Sequence, residues 1–231
     1  MKIMTLAVLP LALAASLGNA ANISVKITNL THGSYFTPLL VTAHTDANHL
    51  FQVGTSASEE LQAMAEGGDT AGLITLADSL AAVSVANPAK GMLGPAMDTM
   101  ADLDTGSNDR LTIVGMLLPS NDGFVGLDSW EIPTAAGTYT IYLNAYDAGT
   151  EANNELILAG SGAPEVDGIP GNPGANGGTG GMGAAGLDAN TMVHIHRGVL
   201  GDTDLAGGTS DLDSRIHRWL NPVAQVVVTV K

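Results

Sequence analysis

In the run ISVKIT, residues 23–28, apolar side chains fall on every second position. This is the spacing of a β-strand with one face buried and the other solvated. Short apolar runs of strand length recur at 39–43, 111–118, 139–145, 192–196 and 223–230. The last of these ends almost at the C-terminus, which ties that end into a sheet. Helical signals are confined to one region. Ser58 followed by Glu59 and Glu60 reads as a helix start, good helix formers continue it, and Gly67-Gly68 stops it. A second short helix is predicted over 71–80. Between 81 and 109, prolines, glycines and acids leave room for one strand. Strands and helices do not take turns along the chain, as they would in an α/β protein. The pattern predicts an all-β fold, an antiparallel β-sandwich with a short helical insertion.

The first twenty residues stand apart from this pattern. Lys2 precedes an apolar stretch over 3–17, and Gly18 and Ala20 are the small residues that a signal-peptide cleavage site requires. The stretch is short for a bilayer and no stop-transfer pattern follows it, so residues 1–20 are read as a signal peptide. Residues 21–231 are read as a single domain, with 161–189 a Gly-rich inserted loop. Within that loop glycine occupies every third position from Gly168 to Gly186, the register of collagen. Only Pro170 and Pro173 supply stiff residues, and Gly178 and Gly181 soften the second half. Both ends must also return to strands of one sheet system. The reading is a flexible surface loop and not a trimer-forming rod.

Composition narrows the chemistry. The formal charge is −15 over 231 residues, and it becomes one unit more negative once Lys2 leaves with the signal. Nucleic acid and anionic lipid surfaces are approached through basic patches, so both are excluded as partners. There is no cysteine. Stability in an oxidising compartment must then come from a packed core, helped by a bound ion if one is present.

Three acids stand where strands end. Asp122 follows the apolar run 111–118, in the turn Pro119-Ser-Asn-Asp-Gly. Asp147 closes the run 139–145, and Glu151 lies four residues on, across Ala148-Gly-Thr. If those strands are neighbours, three carboxylates meet at one end of the sandwich. Like charges so placed repel unless a cation neutralises them. Hard oxygens on loops suit calcium, whereas the lack of cysteine and the scarcity of nearby histidine make zinc a poor fit. The competing reading is that Asp122 and Asp147 simply cap turns. Asp128, Asn153 and Glu155 are further candidate ligands.

Three segments carry a family resemblance: LFQVGTSASEELQAMAEGGDT (50–70), RLTIVGMLLPSNDGFVGLDS (110–129) and YLNAYDAGTEANNE (142–155), with NPVAQVVVTV near the end. In this order they resemble the spondin N-terminal domain family, of the F-spondin and mindin type, in its bacterial exported form. The likeness extends over about residues 23–231. The sequence departs from the family by lacking the cysteines of its animal members and by inserting the glycine repeat. The resemblance implies a C2-like antiparallel β-sandwich that binds calcium through the acids of two motifs, here Asp122, Asp147 and Glu151.

Other residues are weaker candidates. His194 and His196 alternate on a strand and would face one way, so they could hold zinc or copper if His44, His49 or His217 supplied a third ligand. Glu59 and Glu60 favour a helix N-terminus electrostatically, and Trp130 and Trp219 are read as packing residues. No catalytic triad and no phosphate-binding loop is apparent. The expected function is therefore non-enzymatic: a secreted or periplasmic, envelope-associated, calcium-binding module for adhesion or ligand binding. Its partner would be an extracellular protein or glycan, with no membrane span after signal cleavage. The alternatives are a structural envelope protein without a specific ligand and, behind it, an exported metal-dependent hydrolase using His194 and His196.

Overall fold

The computed structural model describes residues 21–231 apart from 165, 175–176 and 186–189. The signal peptide read over 1–20 and part of the glycine stretch lie outside these described residues. Among the described residues, ten strands and two short helices follow one another. Strand β1 is Asn22–Asn29, β2 Tyr35–Phe36 and β3 Leu40–His44. Helices α1, Glu59–Gly67, and α2, Ala71–Ser79, come next. Then follow β4 (Val83–Ala86), β5 (Asp98–Asp104), β6 (Arg110–Leu118), β7 (Gly123–Glu131) and β8 (Gly137–Asp147). The short β9, His194–Ile195, and the C-terminal β10, Ala224–Val230, complete the series.

All named strand pairs are antiparallel, in the order β4-β3-β6-β7-β8-β10-β1-β5, with β2 added to β6 and β9 to β8. The ends of this path, β4 and β5, come into contact. The sheet is therefore nearly closed on itself, a sandwich-like barrel. The all-β expectation with a short helical insertion holds.

The alternation of β1 has the predicted consequence. Val25 and Ile27 are buried, as are Val226 and Val228 facing inward from β10. Each such side chain contributes about 1.5–3 kcal/mol on burial. Helix α1 starts where Ser58 accepts a hydrogen bond from the Leu61 N–H at 3.2 Å. It ends at Gly68, whose φ of 73° is a left-handed conformation that favours glycine. Its buried residues Leu61, Met64 and Ala65 pack it onto the sheet next to β6 and β7.

Two features of the sheet depart from the sequence expectation. The stretch 81–109 holds two strands, β4 and β5, where one was expected. Strand β5 turns Thr99, Ala101 and Leu103 inward and acids outward, so its apolar signal is faint. Strand β7 went unrecognised because a bulge between Leu111 and Ile113 shifts its register against β6 and breaks the two-residue period.

The glycine stretch is no rod. Gly168, Gly174, Gly177, Gly180 and Gly183 have φ between 83° and 110°, whereas the polyproline helix of collagen requires about −75°. Ile169, inside the stretch, is fully buried and bridges to Ile157.

Candidate cation site

The site begins with strand pairing. Gly123, the first residue of β7, stands opposite Asp147, the last of β8, and Asp147 stands opposite His194 of β9. Asp122 immediately precedes that pair, so the ends of β7 and β8 bring the two aspartates together. The turn after β8 then returns over Asp122. Its carboxylate Oδ2 accepts hydrogen bonds from the Thr150 N–H at 2.8 Å, the Thr150 hydroxyl at 3.2 Å and the Glu151 N–H at 3.2 Å. These bonds fix where Glu151 emerges.

The three acids are deeply buried: Asp122 is 0%, Asp147 2% and Glu151 6% exposed. Asp147 is held by the Gly149 N–H on Oδ1 and the Asn153 amide on Oδ2, at 2.9 and 2.8 Å. The His194 ring nitrogen Nε2 lies 3.7 Å from the same Oδ2. Glu151 Oε2 accepts from the Asn121 amide at 3.1 Å and from the Gly168 N–H at 3.0 Å. Two oxygens are left over. Asp122 Oδ1 and Glu151 Oε1 are buried without a hydrogen-bond partner among the described residues.

The electrostatics follow from this burial. Burial, and then repulsion from Asp147, push the Asp122 pKa up to about 7 against the opposing pull of the Thr150 and Glu151 hydrogen bonds. Burial is also the main cause for Glu151, which rises to about 7. The Asn121 and Gly168 donors lower it, and the charges of Glu66 and Asp122 raise it.

The further candidates separate. Asp128 lies six residues along from Asp122, about 20 Å of extended strand away, and binds His49 at 2.8 Å. Glu155 receives the N–H groups of Leu200 and Gly201 at 2.5 and 2.8 Å, one on each oxygen. Asn153 stays at the cluster through Asp147.

The histidines do not assemble into a site. His194 faces Asp147, while the buried His196 packs on Trp219 with ring centroids 5.1 Å apart and accepts the Gly198 N–H on Nδ1. His44 binds the Thr112 hydroxyl and the Thr45 carbonyl, His49 binds Asp128, and His217 accepts the Asp213 N–H. Among the described residues, no group of three or more His, Cys, Asp or Glu side chains is spaced to hold a metal ion as it stands. The three acids thus share one end of the sheet without closing into a finished coordination shell.

Glu66 escaped the sequence reading. It is fully buried in the last turn of α1, and its charge is felt by Glu151. A signal was present: an acid in the last turn of a helix opposes the helix dipole, so it needs another reason to be there.

The Spondin_N family model matches residues 28–156. The chain belongs to the spondin N-terminal domain family. The matched span is more than half the chain; it includes Asp122, Asp147 and Glu151 and stops short of the glycine repeat. No curated protein matches the chain. Spondin_N is a non-enzymatic domain family, typically extracellular, and membership suggests an extracellular or ligand-binding module. No helix among the described residues is long and apolar enough to cross a membrane.

Proposed function

We propose that this spondin domain is an exported adhesion or ligand-binding module of the periplasm, cell envelope or extracellular space, stabilised by calcium bound at Asp122, Asp147 and Glu151. The observation that carries the reading is the pair of buried carboxylate oxygens, Asp122 Oδ1 and Glu151 Oε1, that no donor satisfies. A buried carboxylate oxygen without a partner is costly, and a cation is a ligand that removes the cost. All the donor atoms offered are hard oxygens carried on loops and a strand end, the set that calcium accepts. Residues 1–20 support export as a cleaved signal.

An ion at this place would lie beneath the surface, held by acids no more than 6% exposed. That supports a fastening role, joining the loops after β6 and β8, over direct contact between the ion and a partner. The partner, an extracellular protein or a glycan, would then be read by other surfaces. The hydrolase alternative gains no support, because the rings of His194 and His196 engage different neighbours.

The test is a calcium titration followed by thermal melting. At a hundredfold excess over the dissociation constant, binding should stabilise the wild type by about 2.7 kcal/mol, or about 5–10 °C for a chain of this size. Asp147→Asn should lose most of that gain. A wild type that melts at the same temperature with and without calcium would sink the reading. Glycan arrays and cell-surface pull-downs, each with and without calcium, separate a binding module from an envelope protein with no specific ligand.

A further inference from the structure

We propose that the cleft between the glycine stretch and the loop 204–217 is a binding site for a neutral saccharide. It rests on the ligand-binding part of the reading above and not on calcium, and its lining lies wholly outside the matched span 28–156. The cleft measures about 330 Å³, within the roughly 300–1,000 Å³ that small-molecule pockets occupy. The most buried side chain lining it is His217, 5% exposed. Its Nδ1 accepts the Asp213 N–H at 3.0 Å, so the ring proton sits on Nε2, for which the described residues supply no acceptor. Burial keeps the ring neutral, lowering its pKa against the pull of Asp213. A buried ring held from behind thus presents one unused N–H donor to the cleft.

The walls are tied to one another. Asp211 accepts the N–H groups of Thr179 and Gly180, and the Thr179 hydroxyl donates to the Gly207 carbonyl at 3.1 Å. Gly178 packs so closely here that a side chain would place its first carbon 2.5 Å from Asp211 Oδ2. Most of the acidity lining the cleft is already used. Asp211 gives both oxygens to peptide N–H groups, and Asp213 gives both to the Arg215 guanidinium at 2.9 and 2.6 Å. Asp204 accepts the Ala206 N–H on Oδ1 at 3.0 Å and keeps Oδ2 for a ligand. A metal ion would meet one free carboxylate oxygen and an opposing N–H, and an anion would meet three aspartates. A hydroxyl group fits both ends, because it accepts from His217 Nε2–H and donates to Asp204 Oδ2. Asn172 lines the cleft with its Oδ1 buried and unpartnered, which leaves its amide N–H groups as the end offered to a ligand. Leu205 and Ile216, 70% and 44% exposed, supply apolar contact for the C–H face of a sugar ring. Hydroxyls and an apolar face combined in one small neutral molecule describe a saccharide.

Saturation-transfer NMR with glucose, galactose, mannose and N-acetylglucosamine as probes tests this on the wild type, Asn172→Ala and His217→Phe. At least one of these sugars should give a saturable signal with the wild type. His217→Phe keeps a ring but removes the Nε2–H, and should weaken that sugar about fivefold or more. Asn172→Ala should weaken it by a similar factor, about fivefold, yet melt no lower than wild type, because it deletes a buried oxygen that has no partner. His217→Phe also strips the Asp213 N–H of its acceptor; should it fail to fold by circular dichroism, Asn172→Ala alone decides. No signal from any of the four sugars overturns the proposal, and a partner captured in the pull-downs would then still uphold the ligand-binding reading. No sugar and no captured partner removes both. Sugar binding unchanged in the variants overturns this site and leaves that reading intact. Binding of spermidine or inorganic phosphate in place of the sugars, displaced by the same substitutions, overturns the neutral ligand class.

Discussion

The acids at the end of β7 and β8 and the acids of the C-terminal loops look alike in sequence, yet their surroundings are opposite. Asp122 and Glu151 each have all their donors on one oxygen and leave the other buried without one among the described residues, and burial pushes both up to about 7. Asp211 is also buried, but its Oδ1 accepts the N–H groups of Thr179, Gly180 and Gly181, each at 2.8 Å, and its Oδ2 accepts that of Ile157 at 2.7 Å. Burial works to raise its pKa, and those N–H donors together outweigh burial and carry it below the ordinary value. Asp202 is lowered in the same way by the N–H groups of Ser210, Thr209 and Asp204. What separates the two groups is therefore whether donors reach both carboxylate oxygens, as in Asp211 and Asp202, or only one, as in Asp122 and Glu151, and not the number of acids.

The largest effect should come from breaking a staple. Asp211→Ala leaves four backbone N–H groups without their acceptor and should cost about 3 kcal/mol, read as a lower urea midpoint with or without calcium. Asp122→Asn should behave in the opposite manner. In calcium-free buffer it should melt at or above the wild-type temperature, since it removes a buried repulsion, and it should lose the calcium-dependent gain. If Asp122→Asn destabilises the calcium-free protein as much as Asp211→Ala does, the two regions are not different in kind.

Acidity sharpens the contrast further. Unfolded aspartate and glutamate titrate near 3.9 and 4.3, so folded Asp122 and Glu151, at about 7, hold more protons than the unfolded chain between those values. Their contribution to stability is greatest at acid pH and is lost as pH rises through 7. The calcium increment in melting temperature should accordingly be larger at about pH 8 than at about pH 5. Asp211 and Asp202 have the reverse sign: their contribution is present above the unfolded value and is lost as pH falls through their lowered ones. Urea midpoints across pH, with and without calcium, separate the two. The smallest effect belongs to Arg215→Ala. It frees an exposed ion pair that holds Asp213 at about 2, and solvent screening should leave the melting point unmoved.

Much of this was legible in the residues. Strands β1 and β10 announce themselves through alternation that burial bears out, and α1 through its Ser58 cap and Gly68 stop. That Asp122, Asp147 and Glu151 gather at one end follows from their places at strand ends once β7 pairs with β8. Strand β5 was hidden because two of its three inward residues, Thr99 and Ala101, are polar or small, and β7 because a bulge interrupts its period. The triplet register of the glycine stretch misleads for a physical reason. Glycine recurring every third residue permits a collagen helix, but the same freedom serves turns with positive φ, and several of these glycines adopt them. The donors that distinguish Asp211 from Asp122 are peptide N–H groups, which every residue but proline carries, so no residue type marks them in advance.

The staples of the C-terminal loops have a consequence for biogenesis. The chain has no cysteine, and its long loops are fastened by carboxylates gripping peptide N–H groups across gaps such as Asp211 to Ile157 and Glu155 to Gly201. Such links need no oxidase to form and no isomerase to correct, and a thiol cannot open them. The fold is therefore indifferent to redox potential, and can mature equally well in a reducing or an oxidising compartment.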